Sequence, residues 1–581
     1  MPSGKGNGSG ANRLRRRDMV KGLLAAGLTA ATGRASGDDA APQITEADLV
    51  ATERVAGLHF TDAQRRLMVK RTAEIRSGLR SLRAAPADAR LEPAFHFDPR
   101  LPDTAVPTGR PVFRPTVAAC PPYNSNPESV AFAPVTVLAR LIRARKLTST
   151  ELTRMYLARL KRFGPRLNCV INLTEELAMR QAAAADAEIA AGHYRGPLHG
   201  IPWGAKDLLA TRGIPTTWGA RPYEHQVFDY DATVVRRLTE AGAVLVAKLS
   251  MGELAMGDVW FGGLTRNPWD SKRGSSGSSA GPGSAVAAGL VGFAIGTETL
   301  GSIVSPSVEN GVTGLRPTYG RVPRTGAMAL SWTMDKLGPM ARGVEDCALV
   351  LHAVYGPDGQ DVSTASVPFS WDPNRPLHDL RIGFDTIAFQ AVEKRPERAA
   401  VYQEVLKTLK GLGVQPVPVT LPRDEDAFGQ IAELVIDCES AAAFADLTSS
   451  GKVDLLVSQG EYDWPNTFRV GATVPAADYL QAMRQRRRLQ VAMAEAMRAV
   501  DLFVTVPFRS PSLVYTNLTG HPTLVTRCGM ADGLPLSVEF TGQLYAEEAI
   551  LRIARAYEQA THWHTQWPDT EKLPPIPPPP A

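Results

Sequence analysis

The chain has 581 residues, 44% hydrophobic and 21% charged, which suits one large α/β domain with extensions or several small domains and forces no disorder outside the ends. Its net charge of +5 is concentrated: residues 1–36 carry seven Lys and Arg against Asp18, a net +6, so the remainder stands at −1 and has no surplus to attract nucleic-acid phosphates. Five scattered cysteines (Cys120, Cys169, Cys347, Cys438, Cys528) form no C-x-x-C pair and ten histidines fall in no metal-ligand pattern, so neither a metal site nor a dense disulfide framework is expected. Each cysteine reads as a small buried apolar residue, and one disulfide stays open to an exported chain.

The first element is an address. Arg16-Arg17-Asp18-Met19-Val20-Lys21 reads as a twin-arginine export signal, followed by a short apolar stretch from Gly22 to Ala31. Ten residues are too few to span a bilayer, so residues 1–36 read as a removable leader and not a membrane anchor. The expected location is periplasmic or secreted; a basic tail that merely contains Arg-Arg would leave the protein in the cytoplasm. No clean A-x-A cleavage site stands between Ala25 and Ala41.

Residues 37–129 read as a helical and Pro-rich extension. From Glu46 to Arg83 apolar residues recur at helical spacing, with Met68, Ile75, Leu79 and Leu82 among charges, which predicts a helix packing on the body or covering a homodimer interface. Pro86 to Pro127 is proline-rich and aperiodic, an irregular strap. Thr148-Ser149-Thr150-Glu151 is a capping box, followed by Leu152, Met155, Tyr156, Leu160 and Phe163 on one helical face. Ala243–Ala247 and Leu502–Val506 are short apolar runs suited to internal strands. Helices over Asp478–Val500 and Ala546–Ala560 alternate with them, predicting a mixed α/β sheet enclosed by helices. The tail from Leu573 to Ala581, with residues 569–581 as a whole, reads as extended and disordered.

Two stretches stand apart from ordinary core. In Gly200-Ile201-Pro202-Trp203-Gly204-Ala205-Lys206-Asp207 a lysine follows a constrained apolar turn; losing hydration would lower its pKa and fit it for general-base work, although taken alone a lysine there is more often a solvated loop residue. The run Gly274–Ser284 is rich in Gly and Ser but leads straight into the apolar Ala285–Ile295 and then Gly296-Thr297-Glu298-Thr299-Leu300-Gly301-Ser302-Ile303. A flexible linker does not enter a core. Small residues here instead permit close backbone approach and present consecutive N–H groups, as an oxyanion hole requires. A dinucleotide-binding reading of Gly281-Pro282-Gly283 lacks a preceding strand and an acidic partner.

These two stretches resemble the amidase signature family. The resemblance runs from about Val130 to Pro568, with domain bounds of 130–568, and includes Ser331–Arg342 and Thr516-Asn517-Leu518-Thr519-Gly520-His521-Pro522. It implies a single large domain of that fold and a Ser–cis-Ser–Lys triad: Ser302 as nucleophile, Ser278, 24 residues earlier, as bridging serine, and Lys206 as base. It further implies an oxyanion hole of the backbone N–H groups of Thr299, Leu300, Gly301 and Ser302, no cofactor, and a small-molecule amide substrate. Leu300 and Val304 depart from the Gly-Gly-Ser-Ile-Arg of many members, which puts the substrate in doubt while leaving the triad residues in place. Amide hydrolysis is the leading expectation. Ester or carbamate hydrolysis, the glutaminase subunit of a transamidation complex, and a catalytically silent scaffold are the alternatives. His199 and His521 read as structural.

Overall fold

The computed structural model describes residues 43–83 and 96–575. The leader expected over residues 1–36, the first part of the strap and the last six residues of the proline tail lie outside the described residues. The chain divides into two compact units at Pro86/Ala87.

In the first unit, the predicted helical stretch is two helices, α1 (Glu46–Ala56) and α2 (Asp62–Arg83). Thr45 caps α1 through a reciprocal box with Asp48, and Gly57 ends it in the left-handed conformation. Arg65 of α2 reaches back to Glu53 of α1 at 2.8 Å. Ile75, expected on a packed face, is 51% exposed.

Among the described residues the second unit holds thirteen strands: β1 (Val170–Leu173), β2 (Pro202–Lys206), β3 (Val244–Leu249), β4 (Val259–Trp260), β5 (Gly263–Leu264), β6 (Phe293–Glu298), β7 (Thr313–Arg316), β8 (Lys336–Ala341), β9 (Ile382–Asp385), β10 (Val417–Val419), β11 (Leu502–Thr505), β12 (Thr523–Ala531) and β13 (Leu534–Gly542). Eleven form one mixed sheet in the order β1-β3-β2-β6-β8-β7-β12-β13-β11-β9-β10. β3, β2 and β6 run parallel side by side, and every residue of each is buried. Strands covered on both faces read as apolar runs, which is why β3 and β11 were legible.

The helices that matter for the site are α3 (Ser149–Leu167), α4 (Ala280–Ala287), α5 (Val304–Asn310), α6 (Glu425–Ala443), α7 (Trp464–Gly471), α8 (Ala476–Ala496), α9 (Ser512–Thr519) and α10 (Glu547–Thr561). The capping box of α3 is formed, with the Glu151 N–H donating to Thr148 Oγ1 at 3.1 Å and the Thr148 N–H to the Glu151 carboxylate at 2.9 Å. Its predicted apolar face is buried.

Two boundaries differ from expectation. The strap clusters with the body and not with the first unit: Phe97 is buried and Thr116 binds Glu345 through both its N–H and its hydroxyl at 2.6 Å. The segment after Asp569 is not extended throughout. Thr570–Lys572 makes a short 3-10 turn and Leu573 is buried in the apolar cluster with α3 and α4, because one leucine among prolines has an apolar surface to cover it. All five cysteines carry free thiols; Cys169, Cys347 and Cys528 are buried as expected, while Cys120 and Cys438 are half-buried. No described helix is long and apolar enough to cross a membrane.

Candidate active site

The parallel alignment of β2 and β6, with Ala205 opposite Ile295, brings Lys206 level with the end of β6, so both strands deliver polar side chains at their carboxyl ends. That is where open α/β sheets place their sites. Lys206 is wholly buried, not a solvated loop residue. Its Nζ lies 2.8 Å from Ser278 Oγ, 3.1 Å from Ser279 Oγ and 2.8 Å from Thr297 Oγ1. No described carboxylate pairs with it directly. Burial pulls its pKa down from 10.5 to about 7, against the opposing pull of Asp335 and Glu298.

Ser279, which sequence reasoning passed over, completes this cage: its Oγ donates to the Thr297 carbonyl at 3.0 Å and accepts from the Thr297 N–H at 3.1 Å. An ammonium has three donors and no acceptor, whereas a neutral amine has two donors and one lone pair. With Ser279 and Thr297 taking the two N–H groups of a neutral Lys206, its lone pair is left for the Ser278 hydroxyl.

Ser278 is fully buried and approached through two consecutive left-handed residues, Ser276 (φ 60°) and Gly277 (φ 56°). A Cβ on Gly277 would stand 2.6 Å from Pro306 Cδ, so only glycine lets this segment pack on α5. The Ser279 N–H donates to the carbonyl of Ser302 at 3.2 Å, fixing the two serine segments side by side. Ser302 is 9% exposed and lines a cleft of about 680 Å³. Its hydroxyl makes no hydrogen bond with Ser278 or with any other described side chain; such catalytic bonds tighten when substrate binds.

The loop Thr299–Ser302 between β6 and α5 lines the same cleft. Gly301 turns it at φ +89°, and among the described residues none of its four N–H groups is taken by a protein acceptor. The loop is held from behind. Glu298 Oε2 accepts from the N–H groups of Ile303 and Val304 at 2.8 and 2.9 Å, while Oε1 accepts from Arg316 at 2.7 Å and Asn517 at 2.8 Å. Burial opposes the charge on Glu298, but Arg316, Lys336 and these donors outweigh it and hold its pKa at about 2. On the other side Thr299 Oγ1 donates to Asp335 at 2.5 Å, and Asp335 also accepts from the N–H groups of Leu330 and Ser331. Glu298, Asp335, Thr297 and Arg316 were all missed as site residues. The signal was present for Glu298, since a carboxylate at the end of an apolar buried strand needs partners.

The departures from the family pattern fall out differently. Leu300 borders the cleft and packs its side chain on the apolar cluster of α6, α8 and α9. Val304 is buried at the start of α5, so the residue that replaces a charge there does not face the cleft. Gly281-Pro282-Gly283 lies inside α4, which fits no phosphate-binding turn. His521 is buried with Nδ1 2.7 Å from Thr519 Oγ1, and burial with Arg316 beside it holds it neutral, pushed down to about 3. His199 packs on Gly242 and accepts from the Arg195 N–H, also in a structural place. Among the described residues no group of three His, Cys, Asp or Glu is placed to hold a metal.

A serine and lysine cluster beside a cleft defines the class: a mixed α/β enzyme fold with its polar site at the carboxyl ends of its parallel strands. Residues 151–551 match the Amidase family. The A subunit of the glutamyl-tRNA(Gln) amidotransferase from Pseudomonas syringae pv. tomato is 35% identical over 475 residues, covering 74% of this chain and 98% of that one. The peptide amidase of Stenotrophomonas maltophilia superimposes with a TM-score of 0.69 at 33% identity, covering 76% of this chain and 99% of that one. An amidase family protein from Bacillus anthracis does so with a TM-score of 0.68 at 26% identity, over 76% and 93%. The chain belongs to the amidase family.

Proposed function

We propose that this amidase-family enzyme hydrolyses a carboxamide through Ser302, Ser278 and Lys206. The observation that carries the reading is the buried Lys206 amine, with a pKa of about 7 and its Nζ 2.8 Å from Ser278 Oγ. Neutral Lys206 accepts the Ser278 proton as Ser278 accepts that of Ser302, and Ser302 Oγ attacks the carbonyl carbon. The developing oxyanion is received by the untaken N–H groups of Thr299–Ser302. The relay then returns its proton to the leaving nitrogen, the C–N bond breaks, and ammonia or an amine departs. Water attacks the acyl-Ser302 ester by the same relay, freeing the acid.

A panel of primary aliphatic amide, anilide, C-terminal peptide amide and glutamine, offered to wild type and Ser302→Ala, tests this. Turnover of at least one member is expected, falling by roughly 10⁴-fold or more in the variant. No turnover together with no fluorophosphonate labelling of Ser302 would favour the silent-scaffold reading. The 35% identity to an amidotransferase component supports a second reading, an ammonia-supplying glutaminase, which predicts glutamine turnover only when partner proteins are added. We further propose export by the twin-arginine route, on the strength of the Arg16-Arg17 motif alone. Changing both arginines to lysine should retain the protein inside the cell; unchanged export would reject that route.

A further inference from the structure

Part of the lining of the cleft that holds the Thr299–Ser302 loop comes from α6 and from the chain entering α7, and its ionisable side chains have one sign. Glu433 and Asp437 border it one helical turn apart, with Glu461 beside them, and among the described residues no Lys, Arg or His lines the cleft. Like charges four residues apart on a helix repel, so this pair is unfavourable to α6 by itself. None of the three carboxylates makes an ion pair or hydrogen bond through its side chain with another described residue. Arg509 borders the neighbouring groove that Glu433 also reaches, yet no ion pair joins them. Burial and the nearby Glu433 push the Asp437 carboxyl up to about 6.

Two further observations point to a ligand. Tyr462 (83% exposed) and Phe508 (44% exposed) offer aromatic faces in the same cleft, and such faces attract cations through their quadrupole. Ser302 is nine-tenths buried in that cleft and its hydroxyl is without a side-chain partner among the described residues, so the acidic wall and the reactive group share one space.

We propose that the cleft selects amides bearing a cationic group, an ammonium or a guanidinium, which sits between the Glu433–Asp437 face and the aromatic rings while the scissile carbonyl meets the Thr299–Ser302 loop. This rests on the amidohydrolase reading above and names its substrate class. Carboxylates that are uncompensated within the protein are compensated by the substrate, and an anionic substrate is excluded by the same wall.

The matched pair Nα-acetyl-arginine amide and Nα-acetyl-citrulline amide differs in side-chain charge at nearly constant shape. Calorimetric binding to Ser302→Ala, which cannot turn either over by the proposed route, is expected to favour the arginine compound by about tenfold. The preference should shrink at high salt, and fall to about twofold or less when Glu433→Gln and Asp437→Asn are added. Wild-type kcat/KM should show the same ratio. Equal affinities, including no binding of either compound, or a preference that survives the double substitution, would overturn the proposal. If the preference is present in binding but wild type hydrolyses neither compound nor any other amide, the charge selection stands and the amidohydrolase reading falls.

Discussion

The base role proposed for Lys206 depends on its being in the wrong solvent. A lysine side chain in water has a pKa near 10.5, and here burial brings it to about 7, so that the proton a general base must lack is absent over the upper half of the neutral range. Because the pKa is lowered, the competent neutral amine accumulates as pH rises. Log kcat/KM is therefore expected to climb with pH and level off above about 7, and a profile flat from pH 5 to 9 would remove Lys206 from the base role. Asp335 is the first of the two carboxylates that hold this pKa up, so Asp335→Asn should move the rising limb to lower pH, with some loss of kcat from the freed Thr299. Glu298→Gln keeps the shape but removes the charge that binds the N–H groups of Ile303 and Val304; steady-state kinetics should show kcat reduced by about 10–100-fold with KM changed less. At this scale the sequence singled out Lys206, Ser278 and Ser302, the residues of the proposed triad, because they sit in long motifs. It concealed those that hold them, because Ser279, Thr297 and Asp335 acquire their roles only when β2, β6 and β8 lie side by side.

Elements were legible where local rules and burial agree. The capping box at Thr148 and the apolar β3 are set by neighbours within a few residues, and both formed within one or two residues of the expected bounds. The Gly/Ser run was harder. Its turn-like composition conceals α4, a helix whose Pro282 falls in the first turn, where proline is tolerated, and whose small side chains let it pack directly on the strands. The long periodic stretch before Pro86 broke at Gly57 for the opposite reason, a single local stop that periodicity alone does not register. Gly277 is the sharpest test of element placement. A methyl at this left-handed position meets Pro306 at 2.6 Å, so Gly277→Ala should lower the apparent Tm and reduce kcat as Ser278 is displaced; full activity at unchanged Tm would show that the segment can shift without cost.

At the scale of the whole molecule, several buried charges among the described residues are paired, as in Lys248–Asp207, Arg316–Glu298 and Arg321–Glu547. The expectation that the body lacks a basic surplus follows from counting, but the buried pairs do not. Asp207, quoted with Lys206 as part of one motif, turns the other way: its carboxylate meets Lys248 at 3.1 Å, both wholly buried, and accepts from Thr217 at 2.7 Å. Lys248 in turn donates to the Leu209 carbonyl and Thr216 Oγ1. Lys248→Met would strand a buried carboxylate, a cost of about 3–5 kcal/mol, read as lost soluble yield and a lower denaturant midpoint. Wild-type behaviour of that variant would mean Asp207 is held mainly by Thr217.

The grip of Asn517 on Glu298 also has a consequence for synthesis. The two residues are 219 positions apart, and β7 pairs with β12 only after a comparable wait. At about 5–20 residues per second, a ribosome that has finished the nucleophile loop needs on the order of ten to forty seconds more before the loop's last anchor exists. Nascent chains stalled before residue 517 should escape fluorophosphonate labelling, whereas released full-length chains should not. On the proposed triad the enzyme is thus expected to be born unarmed, with Ser302 an ordinary hydroxyl on an unfinished polypeptide until the distal motif docks.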